Sequence, residues 1–331
     1  MGVDCPVSKG RRNACKVIIK INKSKSHETL FHIYFRLFCE SADYVLASKK
    51  ILMIRKAPVY LVFATLLFSA CTSKPDEDPV EDQQVSIAPS ILPFSLVGTQ
   101  PHDISYFTEG LEFHNGQLYE SSGPSTNENG TGPGPYPSGF GVVDSASGKV
   151  SPKVMLDKIK YFGEGITFFN GKIYQITWRE KTGFVYDAKS FKKLREFTLP
   201  TAEGWGLTHD TMHIIMSVGT NQLYYLHPDS LTTSNIVSVH DNNGPLTSRL
   251  NELEYINGYI YANEWYTNYI VKIDPLSGKV VGRLDLSRQV AEAAQRNPSA
   301  NEMNGIAYDS VSNNILVTGK NWPVMYKIRL Q

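Results

Sequence analysis

The chain repeats itself five times. "FTEGLEFHNGQLYESSG" from Phe107 is matched by "FGEGITFFNGKIYQITW" from Phe162. Then come "GWGLTHDTMHIIMSVG" from Gly204, "LNELEYINGYIYANEW" from Leu250 and "MNGIAYDSVSNNILVTGKNW" from Met303. Each is an alternating run, a turn and a second apolar run. In three the turn is Asn-Gly, whose residues both accept the positive φ of a tight hairpin. The first four are each followed by a second pair of runs, such as "GFVYDAKSFKKLREFTL" and "NYIVKIDPLSGKVVGRLDL". A repeat therefore supplies four antiparallel strands, one blade of a propeller. The spacing of roughly 40–55 residues is that of blades.

The fifth repeat ends at "VMYKIRLQ", one strand short, and an unpaired edge there would be a liability. "FSLVGTQPHD", just before the first repeat, has the character to fill the place. The expected fold is all-β: a five-bladed β-propeller over residues 91–331, closed by N- and C-terminal strands together. "SRQVAEAAQRNP" reads as a short helix before blade five, with Ser287 as cap and Pro298 as stop. "GPSTNENGTGPGPYPSG" is a long Gly/Pro loop in blade one.

In a propeller the first strand of each blade lines the central channel, so equivalent positions converge at one mouth. Aligned on the turns, Glu164 has Glu109, Trp205, Asn251 and Asn304 as counterparts. The second strand returns to the same mouth at Gly123, Trp178, Gly219, Trp265 and Lys320. Carboxylates, carboxamides, indoles and one ammonium thus meet. Taken singly, each has a structural explanation. The carboxylates could be solvated or hold a cation, the indoles could be packing between blades, and Lys320 could pair with Glu109 or Glu164. Asn251 and Asn304 could satisfy strand ends. Glu203, close before Trp205, is a reserve carboxylate, and His102 and His209 read as an isolated turn partner and a loop residue.

The motifs "PHDISYFTEGLEF", "GEGITFFNGKIYQITW", "EGWGLTHD", "LNELEYINGYIYANEWYTNYIVKIDP" and "NGIAYDSVSNNILVTGKNWP" resemble the plant-type glutaminyl-peptide cyclotransferases of plants and bacteria. The resemblance runs from about Phe94 to Gln331 and implies a five-bladed propeller. It also implies cyclisation of N-terminal glutamine, in peptides or proteins, to pyroglutamate with release of ammonia. By the same resemblance Glu164 of "GEG" is the acid/base, and Asn251 and Lys320 complete the catalytic pocket. Phe107, Glu109, Trp178, Trp205 and Trp265 line the substrate site, to which the channel alignment adds Asn304. The family uses no catalytic zinc and no cofactor. Two departures stand out: Glu109 where many members carry Gln, and Glu264 in "ANEW", which together with the loop after Ser122 would alter access.

Composition agrees with this reading. With 331 residues, 41% hydrophobic, 20% charged and net charge +1, the chain is long enough for a large core. Its neutral balance gives no reason to expect nucleic acid as a partner. All four cysteines lie at or before Cys71, and the eight histidines form no ligand cluster, so no metal site is expected. From Met53, "MIRKAPVYLVFATLLFSAC" reads as an export signal over 53–70, with Cys71 as a lipidated residue. The acidic stretch over 71–90 then reads as a flexible tether. Met53 would be the translational start, leaving residues 1–52 as an upstream extension outside the fold. The expected product is an exported monomer, held by lipid at a bacterial membrane in the periplasm or at the cell surface. Two competing readings are a propeller that binds peptide or glycan without turnover, and a calcium-dependent propeller hydrolase.

Overall fold

The computed structural model describes residues 16–23, 31–38, 88–126 and 132–331. The chain divides into two units, Met1–Val80 and Glu81–Gln331. In the first, Lys16–Lys23 and Phe31–Phe38 pair antiparallel, a hairpin that the sequence reading did not anticipate. The signal segment, Cys71 and most of the tether lie outside the described residues.

The second unit is a five-bladed propeller of four-stranded antiparallel sheets. The innermost strands are Thr108–His114, Gly163–Phe169, Leu207–His209, Leu250–Ile256 and Met303–Asp309. Blade five takes its outermost strand from the N-terminal side: Phe94–Pro101 pairs with Val324–Leu330, Phe94 opposite Leu330. The expected closure is therefore present, and the pairing covers the edge that Val324–Leu330 would otherwise leave open. Asn115-Gly116, Asn170-Gly171 and Asn257-Gly258 all have positive φ at both residues, as the hairpin reading requires. The core is apolar packing between adjacent blades. Tyr174, Ile176 and Val185 of blade two, for example, pack with Ile214, Met216 and Leu226 of blade three.

The helix spans Ser287–Arg296. Ser287 does not cap it: Leu286 holds the cap position, and the Ser287 N–H is instead taken by Asp285 Oδ1 at 2.9 Å. His102 also departs from expectation, being buried rather than set in a turn. Its Nδ1 lies 2.7 Å from the Trp322 carbonyl and its Nε2 2.9 Å from Glu120 Oε1. Both neighbours are acceptors, which favours the imidazolium. Burial opposes that charge, but Glu120 outweighs it and the pKa is raised. His209, read as a loop residue, ends the innermost strand of blade three, its ring 4.8 Å from that of Phe169.

Around the axis, the innermost strands have no sheet partner on one side. Buried carboxyl groups fill that gap between blades. Glu252 of blade four accepts the N–H of Leu111 in blade one (3.1 Å) and of Ile306 in blade five (2.8 Å). Glu112 accepts the N–H of Phe168 in blade two, and Glu254 that of Tyr308 in blade five. Burial pushes the Glu112 carboxyl up to about 8. It raises Glu252 and Glu254 as well, and for these two repulsion from neighbouring carboxyls adds to the shift.

A buried N–H left without a partner costs about 1–3 kcal/mol. Glu252→Leu strands two, and is expected to lose about 2–6 kcal/mol of stability in urea unfolding at pH 7. Glu252→Gln keeps one acceptor oxygen and should lose less. Equal midpoints for Glu252→Leu and the parent protein would contradict this account of the axis.

Candidate active site

The site residues sit at breaks in the innermost strands. Pairing with the second strand shifts register between Thr108 and Gly110, Gly163 and Ile166, Leu250 and Leu253, and Met303 and Ile306. These breaks hold Glu109, Glu164, Asn251 and Asn304. Bulges of this kind bend a strand and re-aim its side chains, and here they recur at one end of the channel. Blade three reaches the same level through Trp205, whose N–H is taken by Ser217 O at 3.0 Å. Gly165 has a specific reason to be glycine: a Cβ there would lie 2.4 Å from Leu207 N in the next blade. Its own N–H reaches Trp205 O at 2.8 Å. Gly219 serves the site directly, since a Cβ on it would lie 2.4 Å from the Trp205 indole.

Together these elements line a cavity of 1580 Å³. Phe107, Glu109, Glu164, Trp178, Trp205, Asn251, Trp265 and Lys320 all line it. Asn304 does not. It is fully buried behind the cavity, where its Nδ2 donates to Glu109 Oε2 (3.2 Å) and to Thr108 O (3.0 Å). Glu264 is turned away as well, buried against Ser248 and Arg283, so it does not govern access. The loop after Ser122 does contribute lining, through Ser125, Thr126 and residues 133–136. Tyr136 stacks on Phe107 at 5.6 Å.

Charge is concentrated where water is scarce. Lys320 Nζ lies 2.7 Å from Glu109 Oε1, with side chains only 8% and 1% exposed. The ammonium also stands 4.5 Å from the centre of the Phe107 ring. Burial opposes its charge, but Glu109 and Glu164 together raise its pKa. Burial lifts Glu109 to about 7, with Lys320 pulling the other way. Glu164 is raised well above the usual carboxylate range, first by burial and then by the neighbouring Glu109 charge, to which its carboxyl hydrogen-bonds. The floor of the cavity thus holds Glu164, Glu109 and the Lys320 ammonium together, with the acid form of Glu164 favoured by burial and by the Glu109 charge. Asn251 adds a buried carboxamide oxygen without a partner. Three indoles make the wall. Trp205 and Trp265 meet edge to face at 5.0 Å, and Trp178 meets Phe162 in the same manner at 5.4 Å. Among the described residues, no cluster of His, Cys, Asp and Glu is arranged to hold a metal ion.

The family model described as glutamine cyclotransferase matches residues 63–330. The chain belongs to the glutamine cyclotransferase family. A glutaminyl-peptide cyclotransferase of Arabidopsis thaliana is 36% identical over 242 residues, 71% of each chain. The crystal structure of Myxococcus xanthus glutaminyl cyclase matches with a TM-score of 0.65 and 30% identity, covering 74% of this chain and 99% of its own. This cyclotransferase is accordingly an enzyme, and the resemblance expected from its motifs holds over the whole propeller.

What the sequence reading missed is the outer ring of partners. The placement of Asn304 behind Glu109 depends on contact between blades one and five, which no local pattern announces. Arg249, at 5.1 Å over the Trp265 ring, and Arg179, at 3.6 Å over Trp178, are cavity residues with no motif of their own.

The charge on Glu109 raises the pKa of Glu164, so its removal has a definite sign. Glu109→Gln removes that repulsion, and the Glu164 pKa falls. The alkaline limb of the kcat/KM profile is expected to move to lower pH in this variant. An unmoved limb would mean that Glu109 does not set the proton on Glu164.

Proposed function

We propose that this enzyme cyclises the N-terminal glutamine of peptides or proteins to pyroglutamate without a metal ion, with Glu164 carrying the proton. The observation that carries the proposal is a buried carboxyl, Glu164, beside the Lys320–Glu109 pair at the floor of an indole-walled cavity. The α-amine attacks the side-chain carboxamide carbon, forming the ring C–N bond, and the carboxamide nitrogen leaves as ammonia. Glu164 in its acid form donates a proton to that leaving nitrogen. Its carboxylate then takes the proton that the attacking nitrogen must lose, so the enzyme ends as it began. A raised pKa suits this role, because a general acid–base works best when its pKa is moved toward the operating pH.

Lys320 supplies positive charge for the oxyanion that develops on the carboxamide oxygen, an effect worth roughly 3–4 kcal/mol per donor. The unpartnered oxygen of Asn251 is suited to accept an N–H of the substrate. Trp178, Trp205 and Trp265 close around the methylenes of the glutamine side chain and favour its folded conformer, which makes the attack one of orientation. Asn304 acts from behind, holding Glu109. A cavity of 1580 Å³ exceeds the roughly 300–1,000 Å³ usual for small-ligand sites, which favours a peptide substrate over free glutamine.

Glu164→Gln is expected to cut ammonia release from a Gln-initiated dipeptide by about 10²–10⁴-fold, the usual span for loss of a general acid–base. Activity of the parent protein should survive a chelator. Normal turnover by Glu164→Gln would remove the assignment, and loss of activity with chelator would remove the metal-free mechanism.

The proposal extends to location: export as a monomer, with lipid on Cys71 as anchor, supported by the "FSAC" stretch that precedes the acidic tether. In bacterial cells the parent chain is expected in the membrane fraction and Cys71→Ala in the soluble one. Equal partitioning would argue against a lipid at that residue.

A further inference from the structure

Glu203 has no part in the proton transfers above, yet it has a dense set of partners. Its Oε2 accepts the indole N–H of Trp205 at 3.0 Å and that of Trp178 at 3.3 Å. Its Oε1 accepts from Nε of Arg179 at 3.0 Å, and the Arg179 guanidinium lies over the Trp178 ring at 3.6 Å. Trp205 in turn meets Trp265 edge to face. One carboxylate therefore binds two indoles directly, reaches the third through Trp205, and clamps a guanidinium over the face of Trp178.

The geometry points to Glu203 as the positioning residue of the aromatic wall, fixing the planes of Trp178 and Trp205, and through Trp205 that of Trp265. This rests on the reading that the wall holds a glutamine side chain in its ring-forming conformer. The physical need is plain. Trp178 and Trp265 are only partly buried, with the cavity beside them, so packing alone leaves their rings room to rotate. A hydrogen bond from the indole nitrogen to a fixed acceptor removes that freedom. Glu203 is itself fixed, because its carbonyl accepts from Thr201 Oγ1 at 2.7 Å and the next N–H, of Gly204, binds Trp178 O at 2.9 Å.

The acceptor is also held in its charged form. Burial opposes the charge, but hydrogen bonds from Trp205 and Arg179 outweigh it and keep the carboxyl below the usual range. Charge on the acceptor strengthens both bonds to the shared oxygen. The functional consequence is a division of labour between two glutamates of adjacent blades. Glu164, with its pKa raised, faces the reaction, whereas Glu203, with its pKa lowered, shapes the wall.

The test compares Glu203→Ala, Glu203→Gln and Arg179→Ala in the full-length protein. The measurements are ammonia release from a Gln-initiated dipeptide and near-UV circular dichroism of the tryptophans. Glu203→Ala is expected to raise KM about tenfold, as loss of a charge-assisted bond would, with a smaller change in kcat. Its tryptophan bands should weaken. Glu203→Gln retains an oxygen for the indoles and should recover most of both effects. Arg179→Ala should lie between it and Glu203→Ala. Parent-like KM and spectrum in Glu203→Ala would overturn the inference, as would equal kcat losses in the Ala and Gln variants at unchanged KM. If the parent protein released no ammonia, the proposed reaction would fail. The spectra of Glu203→Ala and Glu203→Gln would still decide the role of Glu203.

Discussion

Everything at the axis depends on how five strand edges are satisfied without a sixth element to pair them. The innermost strands of a propeller converge at angles that forbid a continuous ladder, and buried N–H groups left open there would be prohibitive in number. This chain answers with side chains. Glu252 bridges blades one and five from blade four, and Glu112 and Glu254 make similar links between neighbours. Thr208 adds one more, accepting the Tyr255 N–H at 3.0 Å. The blades are thus joined by polar contacts at the axis and by apolar packing farther out.

The same geometry makes the reaction site possible. Toward the mouth, the strands bulge and the carboxyl groups no longer serve backbone donors from the next blade. Glu109 and Glu164 are buried as deeply as Glu252, yet they face a cavity and an ammonium instead of a strand edge. Burial then acts on protonation rather than on architecture. Carboxyl groups of one residue type, on strands of one repeat, divide into structural and chemical sets according to what lies opposite them.

Much of this was legible because it is local. Asn-Gly turns fix where each hairpin reverses, and alternation fixes which residues face the channel, so Glu164, Asn251 and Lys320 could be placed at one mouth by counting. The missing strand of blade five could be found because its absence left an edge. Other features were not legible, for a physical reason. Glu112, Glu252 and Glu254 occupy strand positions that look unremarkable until the neighbouring blade is present. Asn304 aligns with Glu164 in the repeat but bonds to Glu109 across the blade boundary, and so it stands behind the cavity. Glu203 precedes its strand, and its partners Trp178 and Arg179 lie at the end of another blade's second strand. Ser287 resembles a helix cap, but it is the helix's first residue and Leu286 holds the cap position.

The shared fifth blade has a consequence for the order of events in synthesis. Phe94–Pro101 is made before any blade is complete, whereas its partner Val324–Leu330 follows every other strand of the propeller. The ring cannot lock until the ribosome has delivered all five blades, so the longest-range pairing in the domain is also the final one available. Non-local contacts of this kind slow folding and prolong the exposure of unpaired strands.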